Sequence, residues 1–195
     1  MLHRRIMTPA MPDPQVEFSK PVVTHAGPVF RVERVSYASA DGATRVKDIV
    51  RHPGAVAVIA QHADGRLVLV RNRRVAVGQR LVEFCAGKLE PGEPPAQTAL
   101  RELEEETGFA AGRLEALGSF FTSPGFADEI MHVFVASDLR PVPQRLEPGE
   151  EIEVVTLAED ELRAAIASGE ILDGKTLGAY LLWSMKRASP GACPA

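Results

Sequence analysis

Two uninterrupted apolar runs constrain this chain more than any other feature: Gly54-Ala-Val-Ala-Val-Ile-Ala60 and Arg66-Leu-Val-Leu-Val-Arg71, joined by His62-Ala-Asp-Gly65. Asp64-Gly65 is a hairpin turn signal. Strands with one wet face alternate apolar and polar residues, whereas runs apolar at every position belong to strands covered on both faces. The runs therefore predict a central, doubly covered hairpin. Upstream, residues 29–35 and 44–50 do alternate and are separated by Ala40-Asp41-Gly42, which predicts antiparallel strands with a tight turn.

Further strands are predicted at 81–85, 114–121, 130–136 and 152–156, with loops at 123–129 and 141–150. Helical periodicity recurs at 159–168 and about 177–187. The resulting organisation is a loose arm over residues 1–15, where three methionines leave a later start open, and an antiparallel β subdomain over 16–50. A main domain over 51–187 and a flexible tail over 188–195 follow. A chain of 195 residues with 45% hydrophobic and 25% charged residues suits one soluble domain with a small appended lobe. No run approaches the roughly 18 apolar residues of a membrane span, and the N-terminus lacks the apolar stretch of a signal peptide. Cys85 and Cys193 draw neither a disulfide framework nor a zinc pattern, so a reducing, cytoplasmic setting is expected.

The charge is unevenly placed. Residues 90–106 hold six glutamates and one arginine, a local net of −5 against −4 for the whole chain, which leaves +1 for everything else. After Pro94 and Pro95, Ala96, Ala99, Leu100 and Leu103 fall at i, i+3, i+4 and i+7. They define one face of a helix that Gly108 would end. Glu102, Glu105 and Glu106 then share a face, with Leu100 and Leu103 turned toward the core. Like charges one turn apart repel, and the C-terminal half of a helix disfavours anions. A solvated face or a divalent cation would each accommodate them, and oxygen-only ligands suit Mg²⁺ or Mn²⁺. The glutamates alone leave the two readings balanced.

The segment from Gly87 to Phe109 matches the pattern G-x5-E-x7-R-E-U-x-E-E-x-G-U, where U is bulky and apolar, through Gly87, Glu93, Arg101, Glu102, Leu103, Glu105, Glu106, Gly108 and Phe109. In this the chain resembles the Nudix hydrolases. The flanking segments 52–59, 83–93 and 123–129, with Pro124 about fifteen residues beyond the box, are similar to ADP-ribose pyrophosphatases, and the likeness runs over roughly residues 16–187. The resemblance implies an α/β fold, an α/β/α sandwich with a mixed sheet preceded by a small N-terminal antiparallel sheet. It also implies hydrolysis of ADP-ribose to AMP and ribose 5-phosphate with Mg²⁺, or Mn²⁺ as substitute, and a homodimer; the N-terminal strands exchange between subunits in that subfamily, and the residues alone leave packing in cis equally open. Neither a nucleic-acid nor a membrane partner is expected.

By the same resemblance Glu102 and Glu106 are principal metal ligands, with the Ala86 carbonyl, and Glu105 is a ligand or a contact of metal-bound water. Arg101 orients the glutamates, and Glu93 braces the loop. The general base is expected in the acidic loop 147–153, Glu150 first and Glu151 second, against the reading of a merely solvated loop. Among the arginines 71, 73, 74 and 80, whose guanidinium forks suit phosphate oxygens, Arg74 is assigned to the pyrophosphate; Arg51, Ser123 and Glu129 are further substrate candidates. Two departures stand out: Arg71-Asn-Arg-Arg74 where relatives often have Arg-Gln-Tyr-Arg, and Cys85 where they often have proline. Another nucleoside diphosphate sugar, such as a GDP-hexose, or a dinucleotide polyphosphate remains an alternative substrate. A non-catalytic ADP-ribose-binding module is disfavoured because every box glutamate is kept.

Overall fold

A computed structural model describes residues 18–188; the expected arm over 1–15 and all but the first residue of the expected tail lie outside them. Strands β1 (Val22–Ala26), β2 (Arg31–Ala38) and β3 (Thr44–Arg51) form a small antiparallel sheet in that order. β1 had no counterpart among the predicted strands. Its exposed residues include Val22 and Val23, so no buried alternation marks it in the sequence.

The larger sheet begins with the predicted hairpin, β4 (Ala55–Gln61) and β5 (Leu67–Arg74). Alternate side chains of β4 enter different cores. Ala55, Ala57 and Ile59 pack with Leu67, Leu69, Phe84, Leu162, Ala179 and Trp183 on one face, while Val56, Val58 and Ala60 pack with Cys85, Ala99, Leu103 and Phe134 on the other. A period of two with both faces covered is what turns the sequence into a continuous apolar run.

β4 and β5 pair only near their turn, at Ala60–Val68 and Gln61–Leu67, and then diverge. After a 3-10 turn at Val75–Val77, the single strand expected over 81–85 is instead two, β6 (Gln79–Glu83) and β7 (Cys85–Lys88). β6 pairs with β5 and β7 with β4, so the chain steps across the fork at Phe84. Helix α1 (Pro95–Thr107) follows, then β8 (Phe109–Phe121), β9 (Ile130–Pro141), β10 (Ile152–Leu157), α2 (Glu159–Ser168) and α3 (Gly174–Ala188). The order β10-β5-β4-β9-β8 is mixed: β4 runs parallel to β9, and the other neighbours are antiparallel. Helix α1 covers one face, α2 and α3 the other. Among the described residues no helix is long and apolar enough to cross a membrane.

Candidate active site

Helix α1 starts with Pro95 in its first turn, where a missing N–H leaves nothing unpaired, and ends at Gly108, whose φ of 70° is left-handed and whose N–H reaches the Glu104 carbonyl at 3.1 Å. Its buried stripe differs from the expected one. Thr98, Ala99, Leu103, Glu106 and Thr107 are buried, whereas Leu100 is 36% exposed and Ala96 is exposed too. At about 100° per residue, Glu106 stands only about 20° around the helix from Ala99. Of the expected face Ala99 and Leu103 are buried as read, whereas Ala96 and Leu100 are not; the rotation that leaves Leu100 out carries Glu106 in.

Glu106 is 3% exposed. Its carboxylate accepts the Ala86 N–H at 3.1 Å and a bond from the Cys85 thiol. Burial outweighs these bonds and pushes its pKa up to about 7, and the charges of Glu102 and Glu150 act in the same direction. Burial also raises the pKa of Glu102, although Arg101 opposes the shift. Opposite Glu102 lies Gly87, where a Cβ would sit 1.9 Å from the carboxyl carbon of Glu102. A side chain on β7 is therefore incompatible with this carboxylate position, which accounts for glycine at the start of the motif.

Arg101 holds the rest of the cluster. Nε and Nη2 bond the two oxygens of Glu93 at 3.1 and 3.0 Å, and Nη1 reaches Glu102 at 2.8 Å and Glu105 at 3.1 Å. One guanidinium thus serves three carboxylates and keeps Glu93 ionised below the usual range. Among the described residues no group of three His, Cys, Asp or Glu side chains is arranged to hold a metal ion as it stands; Glu102 and Glu105 are turned onto Arg101. The donor set nonetheless fits a hard cation that takes a few carboxylates and completes its shell with water and phosphate oxygens. The close seat of Glu102 on Gly87 and the buried Glu106 beside it are the residues that would hold it.

The remaining candidates divide into two places. Glu150 lies near enough for its charge to act on Glu102, Glu106 and Cys85, while its carboxylate accepts the Glu147 N–H of its own loop at 2.8 Å. Glu151 points elsewhere, onto Arg73 at 2.8 Å and Arg80 at 2.5 Å. Arg71 pairs with Glu153. Arg74 packs its Nε and Nη2 edge on the fully buried Glu83 and feels the charge of Glu106. Arg51 lies apart from the glutamates, bonded to Glu33 at 2.8 Å and Asp128 at 3.1 Å. The Ser123 carbonyl closes the turn by accepting the Phe126 and Ala127 N–H groups. Glu129 accepts from Thr122 at 2.6 Å and approaches His52.

Sequence reasoning missed three features. Beside Arg51, which was a candidate, Phe18, Tyr37, Lys47 and Ile49 of the small sheet and its flank face Phe121 and the 124–128 loop across a cavity of about 590 Å³. Gln144 bonds the Glu106 carbonyl at 2.6 Å, fastening the start of the acidic loop to the end of α1. Lys175 and Asp173 join Arg74 around Glu83. The last left a trace in the sequence, a lone acid inside the apolar run Leu81-Val-Glu-Phe-Cys85.

The model of the NUDIX domain matches residues 51–174. Over 150 residues the chain is 43% identical to an ADP-ribose pyrophosphatase of Bacillus subtilis (strain 168), covering 76% of this chain and 81% of that one. It is 45% identical over 150 residues to a methanol dehydrogenase activator of Bacillus methanolicus, with the same coverage. The crystal structure of an ADP compounds hydrolase shares the fold at a TM-score of 0.79 and 24% identity, covering 92% of this chain and 97% of that one. The match spans the site from β4 through the glutamate helix to the start of α3, and by it the chain belongs to the Nudix family.

Proposed function

We propose that the protein hydrolyses the pyrophosphate of ADP-ribose to AMP and ribose 5-phosphate with Mg²⁺, for which Mn²⁺ can substitute. The observation that carries this reading is the pairing of Glu102, seated on Gly87, with the buried Glu106, a carboxylate that has no cationic hydrogen-bond partner among the described residues. Glu102 and Glu106 would hold the metal with the Ala86 carbonyl, and Glu105 would take a ligand place or bond metal-bound water once released from Arg101. When bound, the cation neutralises the pyrophosphate and lowers the pKa of a water that attacks phosphorus in line. Glu150, whose charge reaches the glutamates, accepts the proton once its carboxylate leaves the Glu147 N–H. Arg101 orients the carboxylates, and Arg74, with its Nε and Nη2 on Glu83, offers Nη1 to the phosphate oxygens.

The cavity between the small sheet and the 124–128 loop is suited to the nucleoside, with Phe18, Tyr37 and Phe126 as apolar walls. Arg51, already satisfied by Glu33 and Asp128, lines it and shapes the rim, and Ser123 and Glu129 set the loop. Phe18, Val22, Val23 and Val46 are exposed on and beside the small sheet, which supports a homodimer covering this sheet; a monomer in sedimentation would remove that assignment. Cys85, buried and free, suits a reducing cytoplasm. Turnover of ADP-ribose, GDP-mannose and diadenosine polyphosphates with Mg²⁺ tests the substrate. ADP-ribose should be among the best, and preference for GDP-mannose would move the assignment to another nucleoside diphosphate sugar.

A further inference from the structure

Glu83 is fully buried on β6, yet it carries two cations. Arg74 bonds it through Nε at 2.9 and 3.2 Å and through Nη2 at 2.6 Å. Lys175 donates to the same Oε2 oxygen and, at 2.8 Å, to Asp173. Asp173 caps α3 by accepting the Thr176 N–H at 2.9 Å and its hydroxyl at 2.6 Å, and the Thr176 oxygen accepts the Phe84 N–H at 2.9 Å. The contacts close a ring between the start of α3 and the step from β6 to β7.

Within this ring only Arg74 has an open side. Its side chain is 39% exposed, against 14% for Lys175 and 0% for Glu83. Its Nε and Nη2 are occupied, which leaves Nη1 without a partner among the described residues. Lys175 lies behind Glu83 and fixes the carboxylate that fixes the guanidinium. We propose that Lys175, held by Asp173, is a positioning residue that aims the open Nη1 side of Arg74 at the substrate's phosphates; this rests on the assignment of Arg74 to the pyrophosphate. If the ring served only to fasten α3 to the sheet, removing Lys175 would change stability alone. Acting through Arg74, it changes the affinity for a polyanion.

The experiment measures kcat, KM and Tm for full-length wild-type, Lys175→Met, Lys175→Arg, Asp173→Asn, Arg74→Met and the double variant at saturating Mg²⁺. Lys175→Met should raise KM for ADP-ribose about tenfold with a smaller change in kcat, Lys175→Arg should return most of the loss, and Asp173→Asn should shift KM in the same direction. In the Arg74→Met background, Lys175→Met should add almost nothing. Tm falling while KM stays constant in Lys175→Met overturns the proposal, as does full additivity in the double variant. Should Lys175→Met not fold, an unchanged KM in Asp173→Asn overturns it equally. If wild-type protein leaves ADP-ribose intact, the functional reading fails on its own. The series then uses the sugar nucleotide that wild type does cleave, since the phosphates are common to both.

Discussion

Two acid clusters lie side by side across β6 and β7, and they are built on opposite accounts of charge. Around Glu83, two carboxylates meet two cations: Glu83 and Asp173 with Arg74 and Lys175. On and just before α1, Glu93, Glu102 and Glu105 share Arg101, and among the described residues Glu106 accepts only an amide and a thiol. Burying a carboxylate without a cation disfavours its ionised form, and burial pushes the pKa of Glu106 up to about 7. The first cluster is complete within the protein. The second holds more carboxylates than cations among the described residues, which makes it the better suited of the two to an added cation.

The sharpest way to break this contrast is Glu106→Gln, which keeps the shape and removes the charge. Activity with Mg²⁺ should fall by about 10³-fold or more, while the protein stays folded; steady-state rates close to wild type would show that the incomplete cluster is not where the reaction occurs. Next in size is Gly87→Ala, whose Cβ would lie within 2.0 Å of the Glu102 carboxylate. Displacing one metal-holding group should reduce kcat/KM by about 10²-fold, and normal activity would mean that Glu102 has a free choice of position. The neighbouring loop glutamates give a smaller, internal test. Glu150→Gln should slow turnover by about tenfold to a hundredfold. Glu151→Gln, which only releases Arg73 and Arg80, should stay within about threefold. The reverse ranking would reassign the base.

How much of this was legible in the sequence follows from which signals are local. The β4–β5 hairpin, the limits of α1 and the α2 span were readable because turn residues, prolines and periodicity act within a few positions. The glutamate cluster was legible because i, i+3 and i+4 fix a shared helix face. The rotation of that face was not, since Leu100 and Leu103 look equally apolar and only the packing of Ala99 and Leu103 against Val56 and Cys85 decides which goes in. The step at Phe84 was hidden for a similar reason: one apolar run serves two strands because β4 and β5 diverge, and divergence is a tertiary property. Arg74 and Arg73 are adjacent and chemically alike, yet one meets a buried acid nine residues away and the other an exposed acid on a distant loop.

The smallest expected effect is on stability, and its sign separates the two clusters. The folded pKa of Glu106 is raised above the ordinary value of 4.5, so below about pH 4.5 the side chain is protonated in both states and adds no penalty. Between about 4.5 and 7 the unfolded chain loses the proton while the metal-free folded protein keeps it, so stability falls as pH rises through that window and levels off above it. The shift corresponds to roughly 3 kcal/mol as an upper order of magnitude, a Tm change of several degrees for a chain of this size. Glu106→Gln should remove this decline and raise the metal-free Tm at pH 8, whereas wild type should recover it on adding Mg²⁺. Calorimetry between pH 5 and 8, with and without Mg²⁺, checks all three. A Tm that neither declines over this range nor responds to Mg²⁺ would mean that Glu106 is compensated within the fold, and the contrast with the Glu83 cluster would disappear.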